Sequence, residues 1–147
     1  MTQLVNRAFE VEAFFAVGDR TSEAQIRAKL DVGVFFLAEI RDRLVGCVHA
    51  EHRENGRGYI SMLAVDPTHQ RAGVGRQLMR VAEQLCSQAQ CTEVLITVVN
   101  LRTELARFYA SLGYIEQGTA PYSDAHRATQ PVHFIVMRKS LGRCSSP

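Results

Sequence analysis

The chain has no Cys-x-x-Cys pair, no His-x-x-x-His spacing and no apolar run long enough to cross a bilayer. Each absence removes a class. Cys47, Cys86, Cys91 and Cys144 carry no metal-ligand spacing and read as reduced thiols, mostly core filler, so a zinc site is not expected and no metal is called for. The formal net charge is only +2, and no dense Lys/Arg run or aromatic-basic motif is present, which argues against nucleic acid as a partner. Phe14–Val17 is a short apolar patch in an acidic segment, without the basic leader or cleavage pattern of a signal peptide. No membrane partner is expected, and the expected location is the cytoplasm.

What is present suits one packed domain over residues 1–140, with 141–147 as a frayed tail. Hydrophobic residues make up 46% and charged residues 22%, enough apolar surface for a core and too little charge for disorder. Leu4, Ala8, Val11, Phe14 and Phe15 recur at helical spacing and predict a helix over 3–17, broken at Gly18-Asp19. Ser22 followed by Gln25 is a capping box for a short helix that would bury Ile26 and Leu30. Three strands follow, Val34–Ile40, Leu44–Glu51 and Tyr59–Val65, joined by turns at Arg41-Asp42-Arg43 and Glu54–Gly58.

Beyond Asp66-Pro67 the period changes. Val74, Leu78, Val81, Ala82, Leu85 and Ala89 mark an amphipathic helix. Val94–Val99, almost wholly apolar, predicts a strand buried on both faces, so strand, helix and strand form a parallel crossover. Thr103–Leu112 is a helix closed by Gly113, and Tyr114–Thr119 and Val132–Arg138 are the last strands. The fold class is α/β, with a mixed, mostly antiparallel sheet, a parallel centre and flanking helices.

The stretch Leu63-Ala64-Val65-Asp66-Pro67-Thr68-His69-Gln70-Arg71-Ala72-Gly73-Val74-Gly75 runs a strand through a turn into a helix N-terminus. Such an end offers unpaired N–H groups and the positive pole of the helix, which suit a pyrophosphate. Gly73 and Gly75 let backbone approach phosphate oxygens. Arg71, Arg76 and Arg80 either add positive charge there or form a solvated helix face. A Walker turn would need Gly-Lys-Ser/Thr, and a dinucleotide fingerprint would need glycine where Leu78 stands.

The string resembles the acetyl-CoA signature of the GNAT superfamily of N-acetyltransferases, Leu-Ala-Val-x-Pro-x-x-Gln/Arg-x-x-Gly-x-Gly/Ala. Phe108-Tyr109-Ala110-Ser111-Leu112-Gly113-Tyr114 resembles the family's second segment, and the order of elements agrees over residues 3–139. The resemblance implies acetyl-CoA as co-substrate and a sheet that splays between Tyr59–Val65 and Val94–Val99. Main-chain N–H groups of Arg71, Ala72, Gly73, Val74, Gly75 and Arg76 would hold the pyrophosphate, with Gln70 of the same motif as a further cofactor contact. Main-chain groups of Leu63 and Val65 would pair with the pantetheine arm as an added strand would, with Ala64 between them as a further cofactor contact and the Leu63 N–H polarising the thioester carbonyl. Tyr109 would be the general acid for the departing thiolate and a cofactor contact.

An alkylamine with a pKa near ~10 is only ~0.1% neutral at pH 7, so a base is also expected. In one branch of the family that base is a Glu four residues before Leu-Ala-Val; here Tyr59 stands there. His49 and Glu51, on one face of their strand, remain as candidates. The family's usual Asn in the second segment is replaced by Arg102, with Asn100 nearby as a shifted cofactor contact. Arg102 and Glu104 are either a charged-substrate contact or a surface ion pair.

Two functions follow from the resemblance. One is acetyl transfer from acetyl-CoA to a primary amine of a small molecule or peptide by direct attack. The other is a non-catalytic acyl-CoA sensor on the same fold. A homodimer through edge strands is expected by analogy.

Overall fold

The computed structural model describes residues 1–142. Helices α1 (Thr2–Ala8) and α2 (Glu23–Val32) precede strands β1 (Val34–Ile40), β2 (Arg43–Arg53) and β3 (Arg57–Val65). Helix α3 (Val74–Gln88), strand β4 (Glu93–Val99), helix α4 (Thr103–Ser111) and strands β5 (Ile115–Pro121) and β6 (His133–Ser140) follow among the described residues. The six strands form one sheet in the order β1-β2-β3-β4-β6-β5. Only β3 and β4 run parallel; every other neighbouring pair is antiparallel.

Both faces of the sheet are covered. On one, Leu78, Met79, Ala82 and Cys86 of α3 and Tyr109 of α4 pack on Val48, Ala50, Ile60, Val94, Ile96 and Val98. On the other, Leu4 and Val5 of α1 and Ile26 of α2 pack on Cys47, Met62 and Ala64. A third cluster joins Phe15 and Ala16 to Val99 and Tyr122.

Four expectations are corrected. The helix expected over 3–17 ends at Ala8, and Glu10–Phe14 continues as a 3₁₀ turn. Leu4 and Val5 belong to one cluster and Phe15 to another, and a straight helix would not serve both. Val11 and Phe14 are left 54% exposed, and Leu30 of α2 is 53% exposed. The inward face of α3 is rotated: Met79 and Cys86 are buried, whereas Val81 and Ala89 are exposed. Cys86 fills the space left by Gly58, where an added Cβ would lie 2.6 Å from its Sγ. Finally, Leu141, assigned to the tail, donates its N–H to the Thr92 carbonyl and packs on the main core. Cys144 and the rest of 143–147 lie outside the described residues.

The other devices follow local chemistry. Ser22 and Gln25 form both bonds of the capping box, and Gly113 leaves α4 at φ 102°. Cys47, Cys86 and Cys91 are free and buried. Burial pushes the Cys47 thiol up to about 11, consistent with a small hydrophobe rather than a nucleophile.

Candidate active site

The site begins where the sheet opens. β3 and β4 pair only at Arg57↔Glu93, Gly58↔Val94 and Tyr59↔Leu95. Beyond that rung Ile60–Val65 and Ile96–Val99 part. The Tyr59 and Thr97 hydroxyls share a hydrogen bond of 3.1 Å at the fork, so the side chain at the family's Glu position closes the vertex. The Arg53 guanidinium lies 3.9 Å from the Tyr59 ring centroid.

On its other edge β3 carries a bulge. The β2–β3 register steps from Cys47↔Ala64 to His49↔Ser61, so Val48 faces both Met62 and Leu63. Met62 adopts φ 55°, uncommon for a residue with a side chain. A bulge bends its strand and re-aims the next residue. Here it falls immediately before Leu63.

Two cavities meet at this point. The first, about 500 Å³, is a groove over the N-terminus of α3, lined by Leu63, Ala64, Val65, Gln70, Arg71, Gly73, Gly75 and Arg76. Gly73 caps the helix at φ 84° in the left-handed region, where glycine is at no disadvantage. Arg71 also has positive φ, 69°. Asp66 holds the approach to this turn: its carboxylate accepts from the Thr68 N–H (3.0 Å), the Thr68 hydroxyl (2.8 Å) and Arg7 (3.0 Å). These bonds keep its carboxyl below the usual range, the Thr68 N–H contributing most. The Gln70 side chain donates to the Val65 carbonyl at 3.2 Å, so a strand-like ligand on β3 must displace it there.

The second cavity, about 510 Å³, lies in the splay and shares Phe9, Leu63 and Leu105 with the groove. Tyr109 lines it from α4. Burial lifts the Tyr109 phenol well above its ordinary value, while Arg102 pulls the other way, so the side chain keeps its proton. Glu51, Lys29, Glu12 and Asp124 also face this cleft. Glu12, on the 3₁₀ turn after α1, is only 3% exposed. It accepts from Arg102 at 3.0 Å. Burial raises its carboxyl above the ordinary range, and Arg102 offsets part of the rise.

The residues singled out in the sequence separate into groups. The groove gathers Leu63, Ala64, Val65, Gln70, Arg71, Gly73, Gly75 and Arg76, while Tyr109 and Glu51 line the cleft. Ala72 and Val74 line neither; Val74 packs on the core. Asn100 is committed elsewhere, its Oδ1 accepting from the His133 N–H at 3.0 Å.

His49 is fully buried and lines neither cavity. Its Nε2–H donates to the Lys29 carbonyl at 2.7 Å, and its Nδ1 has no partner among the described residues. Burial lowers its pKa, favouring the neutral ring. Arg102 does pair with Glu104, at 2.6 Å, but it is no surface residue: it is 9% exposed and spans from Glu104 to Glu12.

Sequence reasoning missed Glu12 and Lys29. Neither lies in a motif, and each reaches the cleft only because α1, its turn and α2 fold over the end of the splay. The one available signal for Glu12 was an acid inside an apolar helical pattern.

Comparison with known proteins agrees with this geometry. N-alpha-acetyltransferase 30 of Xenopus laevis is 31% identical over 84 residues, covering 54% of this chain. The chain spans only 31% of the length of that relative. A GNAT family acetyltransferase from Elizabethkingia anophelis with acetyl-CoA bound superposes with a TM-score of 0.73 at 19% identity, over 82% of this chain and 84% of that one. The ribosomal-protein-S18-alanine N-acetyltransferase of Escherichia coli superposes with a TM-score of 0.73 at 17% identity, over 99% and 93%. These structural likenesses concern the fold. The model of the acetyltransferase (GNAT) family matches residues 1–114, and with the splayed sheet and the turn before α3 in place, the chain belongs to that family.

Proposed function

We propose that the protein transfers an acetyl group from acetyl-CoA to a primary amine of a small molecule or peptide. One observation carries the reading: the groove over the α3 N-terminus and the cleft in the splay meet at Leu63, beside the bulge, with Tyr109 on the cleft side. A pure binding module needs the groove alone.

The groove fits the co-substrate. A Cβ at Gly75 would meet only ordinary contacts, Phe108, Val65 and Leu63 at 3.5–3.9 Å, all of them residues that line the groove. The N–H groups from Arg71 to Arg76 would hold the pyrophosphate, and Leu63 and Val65 the pantetheine arm. Acetyl-CoA, when bound, supplies the acetyl group as a thioester open to direct attack by an amine. The Leu63 N–H donates to the acyl oxygen, where charge develops. Tyr109 carries the proton for the departing sulfur, and its raised pKa keeps that proton in place until the thiolate forms.

The base is assigned to Glu12 in preference to His49 and Glu51. His49 is walled off from the cleft, and Glu51 and Glu12 are each paired with an arginine, at 2.6 and 3.0 Å, so burial rather than pairing sets Glu12 apart. Glu12 combines a cleft position, an orienting partner in Arg102 and a carboxyl lifted by burial toward neutral pH. Among acceptors, a peptide N-terminus is favoured by the N-alpha-acetyltransferase relative, and a small amine by the size of the cleft.

Mass-spectrometric detection of the acetylated acceptor, after incubation with acetyl-CoA and an amine panel, tests the proposal. An acetyl adduct on one chemical class supports transfer. Acetyl-CoA binding in the absence of any adduct leaves the sensor function.

A further inference from the structure

Three acidic and three basic side chains line the cleft, and they do not pair off evenly. Glu12 is held by Arg102, Glu51 by Arg53 at 2.6 Å, and Asp124 by Arg127 at 3.3 Å and Arg20 at 3.8 Å. Lys29 of α2 has no carboxylate within ion-pair distance among the described residues. Its Nζ donates to the Ser61 hydroxyl at 3.2 Å and lies 5.6 Å from the Tyr59 ring centroid. An ammonium has three donors, so two remain for a ligand.

The surroundings of Lys29 do not balance its charge. Burial lowers its pKa; Glu51 attracts the charge, while Arg53 and Arg20 repel it. Arg20 lines the same cleft and lies 3.8 Å from Asp124.

We propose that Lys29, in a cleft also lined by Arg53 and Arg20, forms an anion subsite, and that the acceptor is an amine that also carries a carboxylate or phosphate group. The amine lies toward Glu12 and Tyr109, and the anion bonds to the Lys29 ammonium beside Ser61. This rests on the cleft being the acceptor site, and its test does not depend on turnover.

The test is equilibrium binding by calorimetry to the protein saturated with coenzyme A. The probes are matched pairs: N-acetyl-alanine, N-acetyl-leucine and N-acetyl-glutamate against their amides, and N-acetylphosphoethanolamine against N-acetylethanolamine. The anionic member of at least one pair is expected to bind about ten-fold or more tightly, as one charge-assisted hydrogen bond allows. The pair that discriminates separates carboxylate from phosphate. Lys29→Met should abolish the preference and Lys29→Arg should keep most of it. Glu51→Gln, which removes the opposing carboxylate, should strengthen it. Equal binding within every pair, binding of no probe at all, or a preference that survives Lys29→Met would overturn the subsite. The acetyl-transfer reading fails separately, if no amine is acetylated at all.

Discussion

The groove and the cleft are similar in volume but built from different materials. The groove is mainly backbone: a left-handed glycine, free N–H groups at a helix start and one strand edge, all within Leu63–Arg76. The cleft is mainly side chain, drawn from the turn after α1, from α2, from β2 to β4, from α4 and from the segment after β5. A backbone site suits a ligand that does not vary with side chains. A side-chain site is free to change, and on the proposed function the acceptor would be read there.

The sharpest break of that comparison removes one cleft atom and leaves the groove alone. Tyr109→Phe should lower kcat by about 10²–10⁴, the usual worth of a general acid, with acetyl-CoA affinity unchanged by calorimetry. Glu12→Gln should cost about 10² in kcat. It should also remove the acid limb of the kcat/KM profile, whose midpoint lies above the ordinary glutamate value of about 4.3 because burial raises Glu12.

The same shift has a stability counterpart of defined sign. Folded Glu12 keeps its proton at pH values where the unfolded chain has lost it. Its contribution is therefore full below the ordinary glutamate pKa and declines as pH rises through the raised one. Urea unfolding of Glu12→Gln should show that slope flattened.

A smaller break acts on the groove. Gly75→Ala meets only ordinary contacts in the protein and gains helix propensity. It should hold or raise Tm while weakening acetyl-CoA about ten-fold, through loss of close backbone approach. Gly73→Ala, at φ 84°, should cost about 1 kcal/mol in urea unfolding, because alanine is strained in the left-handed region. An opposite ranking, with Gly75→Ala unfolding the chain and Gly73→Ala silent, would show that the turn is packing rather than ligand site.

The contrast also explains what the sequence made legible. Most of the groove comes from one continuous string, Leu63–Arg76, whose local backbone Pro67, Gly73 and Gly75 announce; Ala8, Phe9, Arg102, Glu104, Leu105 and Phe108 join it only through tertiary folding. β1 was legible to the residue because Val34–Ile40 is bounded by a capped helix and a turn. The cleft was half legible. Tyr109 came with its motif, but Glu12, Lys29 and Asp124 converge only through tertiary folding. His49 shows the limit of alternation: it precedes Glu51 by two residues on one strand, yet the β1–β2 ladder and α2 bury it under Phe35 and the Lys29 carbonyl. The break of the first helix was hidden for a related reason, because its apolar spacing serves two separate clusters. On α3, Met79 and Cys86 occupied places given to Val81 and Ala89, since a thioether and a thiol fill a core as well as hydrocarbon.

Release of free coenzyme A thiol from acetyl-CoA tests the joined groove and cleft most directly. It should be measured across amines, amino acids, polyamines, aminoglycosides and short peptides, with wild type and Tyr109→Phe side by side. The account predicts saturable release above acceptor-free hydrolysis with one class of amine, lost in Tyr109→Phe while acetyl-CoA still binds. Acetyl-CoA binding with no release above hydrolysis for any acceptor, or release that Tyr109→Phe leaves unchanged, would contradict it.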